Sequence, residues 1–202
     1  MGFLTSNARP NQFMLVVGEN SADEIQKYCY YYATKLRKKC WYLCIESTPM
    51  FNVLSMLSLA SGVPRQDILS LKVAPPHFGA LNDGAAELCE AECRFSQSPP
   101  IDLAAIVALA KTLSKQEGAE VLFIDALHRV QFEHGRASSP AEQRWISQAL
   151  RAVAHAGELT VVAGLIRPGD QFPDLDCDSV YYCEPSEKRE TIKPIFGNKT
   201  CS

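Results

Sequence analysis

The feature that most restricts this chain is a series of short, wholly apolar runs separated by helix-length amphipathic stretches. Phe13 to Val17 reads FMLVV and is closed by Gly18, and Trp41 to Ile45 reads WYLCI and ends at Glu46. Val121 to Asp125 reads VLFID, and Leu159 to Ala163 is a further run. Short continuous runs of this kind belong to strands buried on both faces. Between them, residues 22–39, 49–60, 83–94, 101–115 and 140–156 carry helical spacing, with a short helix near Gln66 to Leu71. In the first of these, Ala33 and Leu36 are expected to face inward. The SQSPP segment breaks the third, Gly118 caps the fourth and Gly157 ends the last. Strand alternating with helix implies an α/β fold, with a mostly parallel sheet covered by helices on both faces. Ligands of such sheets bind beyond the carboxyl ends of the strands, where Gly18, Glu46, Asp125 and Gly164 stand. Ser179 to Cys183 and Thr191 to Ile195 are expected to pair as a C-terminal β-hairpin at the edge. Phe132 to Ser139 and Pro168 to Asp178 read as the least ordered segments.

A length of 202 residues suits one domain with a full core. The net charge of −3 gives the chain no overall basic signature, so nucleic acid would need a local patch. No apolar run approaches the ~20 residues that span a bilayer, and the N-terminus lacks a signal-peptide core, so a cytoplasmic location is expected. Met1-Gly2 with Ser6 matches the loose myristoylation pattern, which asks only for the glycine and one hydroxyl. Eight cysteines without an export signal read as reduced thiols. Cys40/Cys44 and Cys89/Cys93 are spaced by four, without the tighter pair or histidine partners that zinc usually takes, so no metal site is expected. Cys44, inside WYLCI, reads as buried packing.

Five blocks, in order, carry a family resemblance. NARPNQFMLVVGENSADE, WYLCIESTP, EVLFIDALHRVQ, the helix from SPAEQRWISQAL and the strand LTVVAGLIRP resemble the C-terminal ATPase domain of DnaB-type replicative helicases. That domain has the RecA-like P-loop NTPase fold. The resemblance covers nearly the whole length, so a single RecA-like domain is expected over 1–202. The family's N-terminal domain and linker helix are expected to be absent.

The same resemblance assigns roles to residues and shows where they depart from pattern. A P-loop reads G-x-x-x-x-G-K-[ST]: its backbone N–H groups cradle phosphates, its Lys reaches the β- and γ-phosphates and its hydroxyl holds Mg²⁺. Here the segment is Gly18-Glu19-Asn20-Ser21-Ala22-Asp23-Glu24-Ile25. Gly18 remains, Asp23 stands for the second glycine, Glu24 for the lysine and Ile25 for the hydroxyl. An ammonium at ~4 Å from a phosphate charge contributes about 4 kcal/mol at an effective dielectric of ~20. A carboxylate reverses the sign, a swing of roughly twice that size before the side chain relaxes. Ordinary Mg-ATP binding is therefore expected to fail. The plain alternative is a strand-to-helix turn with Ser21 as cap and the two acids in the first helical turn.

Glu46 matches the glutamate that polarises the attacking water, and Asp125 the Walker B aspartate that orients Mg²⁺. Ile166 stands where the family senses the γ-phosphate with Gln, and KPIFGNKT offers Lys193 and Lys199 out of the finger pattern. The family's first DNA-channel loop keeps His128, Arg129, His134 and Arg136. The second has Arg167 against Asp170, Asp174, Asp176 and Asp178, which would repel a phosphate backbone. Lys35, Arg37, Lys38 and Lys39 cluster at a helix end, as a nucleic-acid patch or as a solvated cap suited to the helix dipole.

Three functions stay open at this point. The first is a helicase relative without catalysis. It would act by binding a replicative helicase, another RecA-like protein or itself in DNA replication, recombination or mobile-element maintenance. It needs no cofactor. The second is a divergent ATPase or helicase that uses ATP and Mg²⁺ through a non-standard site with Glu46 and Asp125. The third is a nucleic-acid-binding module built on Lys38, Lys39, Arg129, Arg136 and Arg167.

Overall fold

The computed structural model describes residues 10–97, 102–132, 135–136, 140–157, 159–166 and 175–183. The predicted strands form β1 (Phe13–Val17), β2 (Cys40–Cys44), β4 (Val121–Ile124), β7 (Thr160–Leu165) and β8 (Ser179–Tyr182), with β3 (Cys93–Gln97) at one edge. The sheet has the order β3-β2-β4-β7-β1-β8, and each neighbouring pair is parallel. The short strands β5 (Gln131–Phe132) and β6 (Gly135–Arg136) pair separately and antiparallel. The segment from 132 to 139, read as irregular in sequence, thus holds part of a small hairpin.

Each inner strand contributes to two cores because successive side chains alternate across the sheet. Phe13, Leu15 and Val17 join Leu122, Ile124, Val161 and Ala163 on the face covered by α5 (Leu103–Thr112) and α6 (Pro140–Gly157). Met14, Val16, Tyr42, Cys44, Phe123 and Val162 face the other way, toward α1 (Ser21–Tyr30) and α2 (Pro49–Ser61). α3 (Arg65–Leu69) and α4 (Phe78–Cys89) are the remaining α-helices among the described residues. Among them, no helix is long and apolar enough to cross a membrane.

Three boundaries depart from the sequence reading. The helix expected over 83–94 starts earlier, at Phe78, and stops at Cys89. CRFSQ then forms β3, half-buried at the sheet edge and lacking the apolar run that marks the inner strands. The helix after β1 ends in a widened turn over Tyr31–Lys35, which leaves Leu36 exposed rather than inward. β8 pairs with β1, whereas 191–195, the proposed partner in a hairpin, lies outside the described residues. Gly118 caps its helix in the left-handed conformation as expected, at φ 64°.

Candidate functional site

The carboxyl ends of β1, β2, β4 and β7 lie side by side, with Val17 beside Leu165 and Ile124 beside both Leu43 and Ala163. Gly18, Glu46, Asp125 and Gly164 therefore converge. What fills the space above them is set by the turn from β1 to α1. Gly18 has φ 149°, and a Cβ there would overlap the carbonyl of Cys183, the residue after β8. Its amide donates to Leu165 O at 3.0 Å, and its carbonyl accepts from Ser21 N at 3.1 Å. Packing of strand ends is sufficient to require glycine here.

Helix α1 begins at Ser21, so Asp23, Glu24 and Ile25 are all helical. Ser21 does not cap it. The N-cap position is Asn20, which makes no side-chain capping bond, while Ser21 is the first helical residue and is buried. The acids do occupy the first turn, where the positive end of the helix dipole favours them. Each has a cation: Arg65 Nη1 reaches Asp23 Oδ1 at 2.9 Å, and Lys27 pairs with Glu24. Arg65 also lies over the Phe51 ring, 4.8 Å from its centroid. Ile25 is fully buried and points at Gly164, where a Cβ would come within 2.6 Å of its Cδ1.

Asp125 is 2% exposed and spends both oxygens on the turn after β2. Oδ1 accepts from Ile45 N at 2.8 Å and Glu46 N at 3.1 Å, and Oδ2 accepts from Ser47 N at 3.1 Å and from the Ser47 hydroxyl. The network continues inward. Asn52 Nδ2 donates to Ser47 Oγ at 2.6 Å and to Cys44 Sγ at 3.1 Å, and Gln26 Nε2 donates to Asn52 Oδ1 at 2.5 Å. A chain of buried polar groups thus links α1, α2, β2 and β4. Burial, and to a smaller degree Asp125, push the Cys44 thiol up to about 11, although the Asn52 hydrogen bond pulls the other way. Nearby, the buried Tyr42 hydroxyl has no hydrogen-bond partner among the described residues, and burial followed by the charge of Asp125 holds its phenol well above the usual range.

Glu46 lies at the surface of this region. Arg129 Nε and Nη2 donate to its Oε1 at 3.1 and 2.6 Å, and His128 Nε2 is 3.5 Å from Oε2. The sequence offered Glu46 as a catalytic group and Arg129 as a nucleic-acid contact; the structure pairs them with each other. Lys35, Arg37, Lys38 and Lys39 are likewise matched, with Glu87, Glu90, Glu120 and Glu92 respectively. Arg136 lies in β6, whereas His134, Arg167, Asp170, Asp174, Lys193 and Lys199 lie outside the described residues.

Sequence reasoning counted Asp176 and Asp178 among carboxylates that would repel a phosphate backbone; the structure pairs both with basic side chains of α6. Arg151 of α6 pairs with Asp176 and, at 3.0 Å, with Asp178, and His155 Nε2 lies 2.9 Å from Asp178. Asp178 Oδ2 also accepts the Phe13 amide at 2.8 Å, and its own amide donates to Phe13 O. These residues fasten β8 to β1 and α6. Arg151 was not singled out in the sequence; no local pattern connects it with carboxylates beyond the next strand.

Among the described residues no group of three or more His, Cys, Asp or Glu side chains is arranged to hold a metal ion. The DnaB-like helicase C-terminal domain model matches residues 17–166. The chain belongs to this family. The DnaB-like domain is 26% identical over 133 residues to the replicative DNA helicase DnaB of Geobacillus stearothermophilus. That match takes in 65% of this chain but 29% of the relative, so the chain spans less than a third of the full helicase. Among solved structures, a DnaB-like replicative helicase described with its interactions with primase superposes with a TM-score of 0.67 at 14% identity. The match covers 85% of the DnaB-like domain and 46% of that chain. A solved ATPase domain superposes at 0.69 and 16% identity, covering 86% and 70% of the two chains. At such identities the likeness is one of fold.

Proposed function

We propose that this DnaB-like domain does not hydrolyse ATP and acts by binding another protein in DNA replication, recombination or mobile-element maintenance. The observation that carries this reading is the placement of Ile25. At the position where the family holds Mg²⁺ with a hydroxyl, an apolar side chain lies in the core against Gly164. A helix already occupies residues from Ser21 onward, in place of an open loop. Asp23 and Glu24 put negative charge where a triphosphate would need positive. Asp125, whose oxygens take donors from the 45–47 turn, has a sufficient structural role of its own. The residues present do not fit a bound Mg-ATP.

A protein partner is supported by the likeness to a DnaB-like replicative helicase described with its interactions with primase. The proposed partner is a replicative helicase, another RecA-like protein or a second copy of this chain. Sedimentation of the purified chain, alone and mixed with the replicative helicase of the same cell, tests this. A complex or a self-associated species is expected, and a monomer in every mixture would remove the proposal.

A second reading, a divergent ATPase, is favoured by Glu46, whose carboxylate stands at a strand end near the surface. Nucleotide turnover that disappears in Glu46→Gln would establish it. The nucleic-acid reading is weakened by pairing of Lys38, Lys39 and Arg129 with carboxylates.

A further inference from the structure

Cysteines gather at the β3 edge of the sheet, on the side of α1. Cys29 of α1 is fully buried, and Cys40 at the start of β2 is the register partner of Cys93 at the start of β3. The Sγ atoms of Cys29 and Cys93 lie 3.5 Å apart, whereas Cys40 Sγ is directed at Lys38 O, 3.3 Å away. Cys93 differs from the other two in one respect. It lines a cavity of about 280 Å³ between α2, α4 and β3, walled by Val53, Met56, Leu88, Cys89 and Phe95. A thiol open to a cavity and backed by a buried thiol is the arrangement of an attacking and a resolving cysteine.

We propose that Cys93 is an oxidation site. It takes a small hydroperoxide from this cavity and passes the oxidation to Cys29 as an intramolecular disulfide. In the first step the Cys93 sulfur attacks the outer peroxide oxygen. The O–O bond breaks, Cys93 becomes a sulfenic acid, and the alcohol or water leaves with the thiol proton. In the second, Cys29 Sγ displaces the hydroxyl from the Cys93 sulfur, the S–S bond forms, and the Cys29 proton leaves with that hydroxyl as water. The two thiols supply the two electrons that reduce the peroxide, and a dithiol reductant reverses the bond. First attack falls to Cys93 because it lines the cavity, whereas Cys29 is fully buried behind it. The new bond ties α1 to the edge strand across 64 residues of chain.

The test uses the full chain, reduced and then exposed to hydrogen peroxide or cumene hydroperoxide, with free thiols blocked before non-reducing digestion. Trypsin together with a glutamate-specific protease cuts at Glu90 and Glu92 and so separates Cys89 from Cys93. The expected result is loss of two thiols and one linked peptide pair containing Cys29 and Cys93. In Cys29→Ala the sulfenic acid of Cys93 accumulates and is captured by dimedone, while in Cys93→Ser Cys29 stays reduced. A disulfide joining Cys93 to Cys40 or Cys89, or thiols untouched by excess peroxide, overturns the proposal. Because the wild-type peptide map decides the pairing by itself, a variant that fails to fold leaves the test intact.

Discussion

The side chain of Ile25 rests on the backbone of Gly164, so that a Cβ at residue 164 would lie 2.6 Å from Ile25 Cδ1 and 2.9 Å from Asp125 O. One contact thereby joins the first turn of α1 to the ends of β7 and β4. It also explains why a glycine ends a run as apolar as LTVVA.

Gly164→Ala is therefore expected to destabilise the fold by about 1–3 kcal/mol, the usual penalty of overpacking. Ile25→Val in the same chain should recover part of the loss and not all of it, since the Asp125 carbonyl cannot retreat as a side-chain methyl can. Urea unfolding of the single and double variants measures this. Additive losses would mean that the two residues are not in contact.

Asp125 is expected to matter to the fold whether or not nucleotide is present. Asp125→Ala strands the amides of Ile45, Glu46 and Ser47, which now donate to its carboxylate, and should cost about 3–5 kcal/mol. Hydrogen exchange at residues 45–47 should speed up, and Asp125→Asn should show a smaller loss of the same kind. Unchanged stability in Asp125→Ala would count against the clamp.

How far the sequence led is visible in these same residues. FMLVV, WYLCI, VLFID and LTVVA mark strands because a strand buried on both faces must be apolar throughout. CRFSQ was missed because an edge strand has no such need, and the helical spacing before it ran on into it. Asp125 stood out as a strand-end acid, and its importance was legible. Its partners were not: backbone amides nearly eighty positions away leave no mark in residue types. The acids after 175 and the basic cluster near 37 were weighed by charge alone, yet their roles depend on Arg151, Glu87, Glu92 and Glu120, which only folding brings near.

Asp178 gives the protein a defined response to acid. Burial raises its pKa, but the Phe13 amide, His155 and Arg151 outweigh this and hold its carboxyl below the ordinary 3.8. A depressed folded value means that the unfolded chain binds the proton first as pH falls. The stabilisation is thus complete above about pH 4–5 and is lost as the pH drops through the folded value. Asp178→Asn should unfold at lower urea than wild type at neutral pH, and the two midpoints should converge in strong acid. A gap that persists unchanged at pH 2 would contradict the assignment.

The pair formed by Glu46 and Arg129 is exposed on both sides, 36% and 38%. Arg129→Ala is accordingly expected to change stability by less than about 1 kcal/mol. Releasing Glu46 in this way should not produce ATP hydrolysis, because the missing elements lie at residues 23–25. Phosphate release assays on the variant decide the point; turnover appearing only in Arg129→Ala would make Arg129 an inhibitory latch.

Calorimetric titration of the purified chain with Mg-ATP reaches the central claim most directly. A β1–α1 turn closed by helix, acid and a buried isoleucine should give no heat beyond dilution at millimolar nucleotide. Saturable binding, with residues 18–25 protected from hydrogen exchange by the nucleotide, would contradict it.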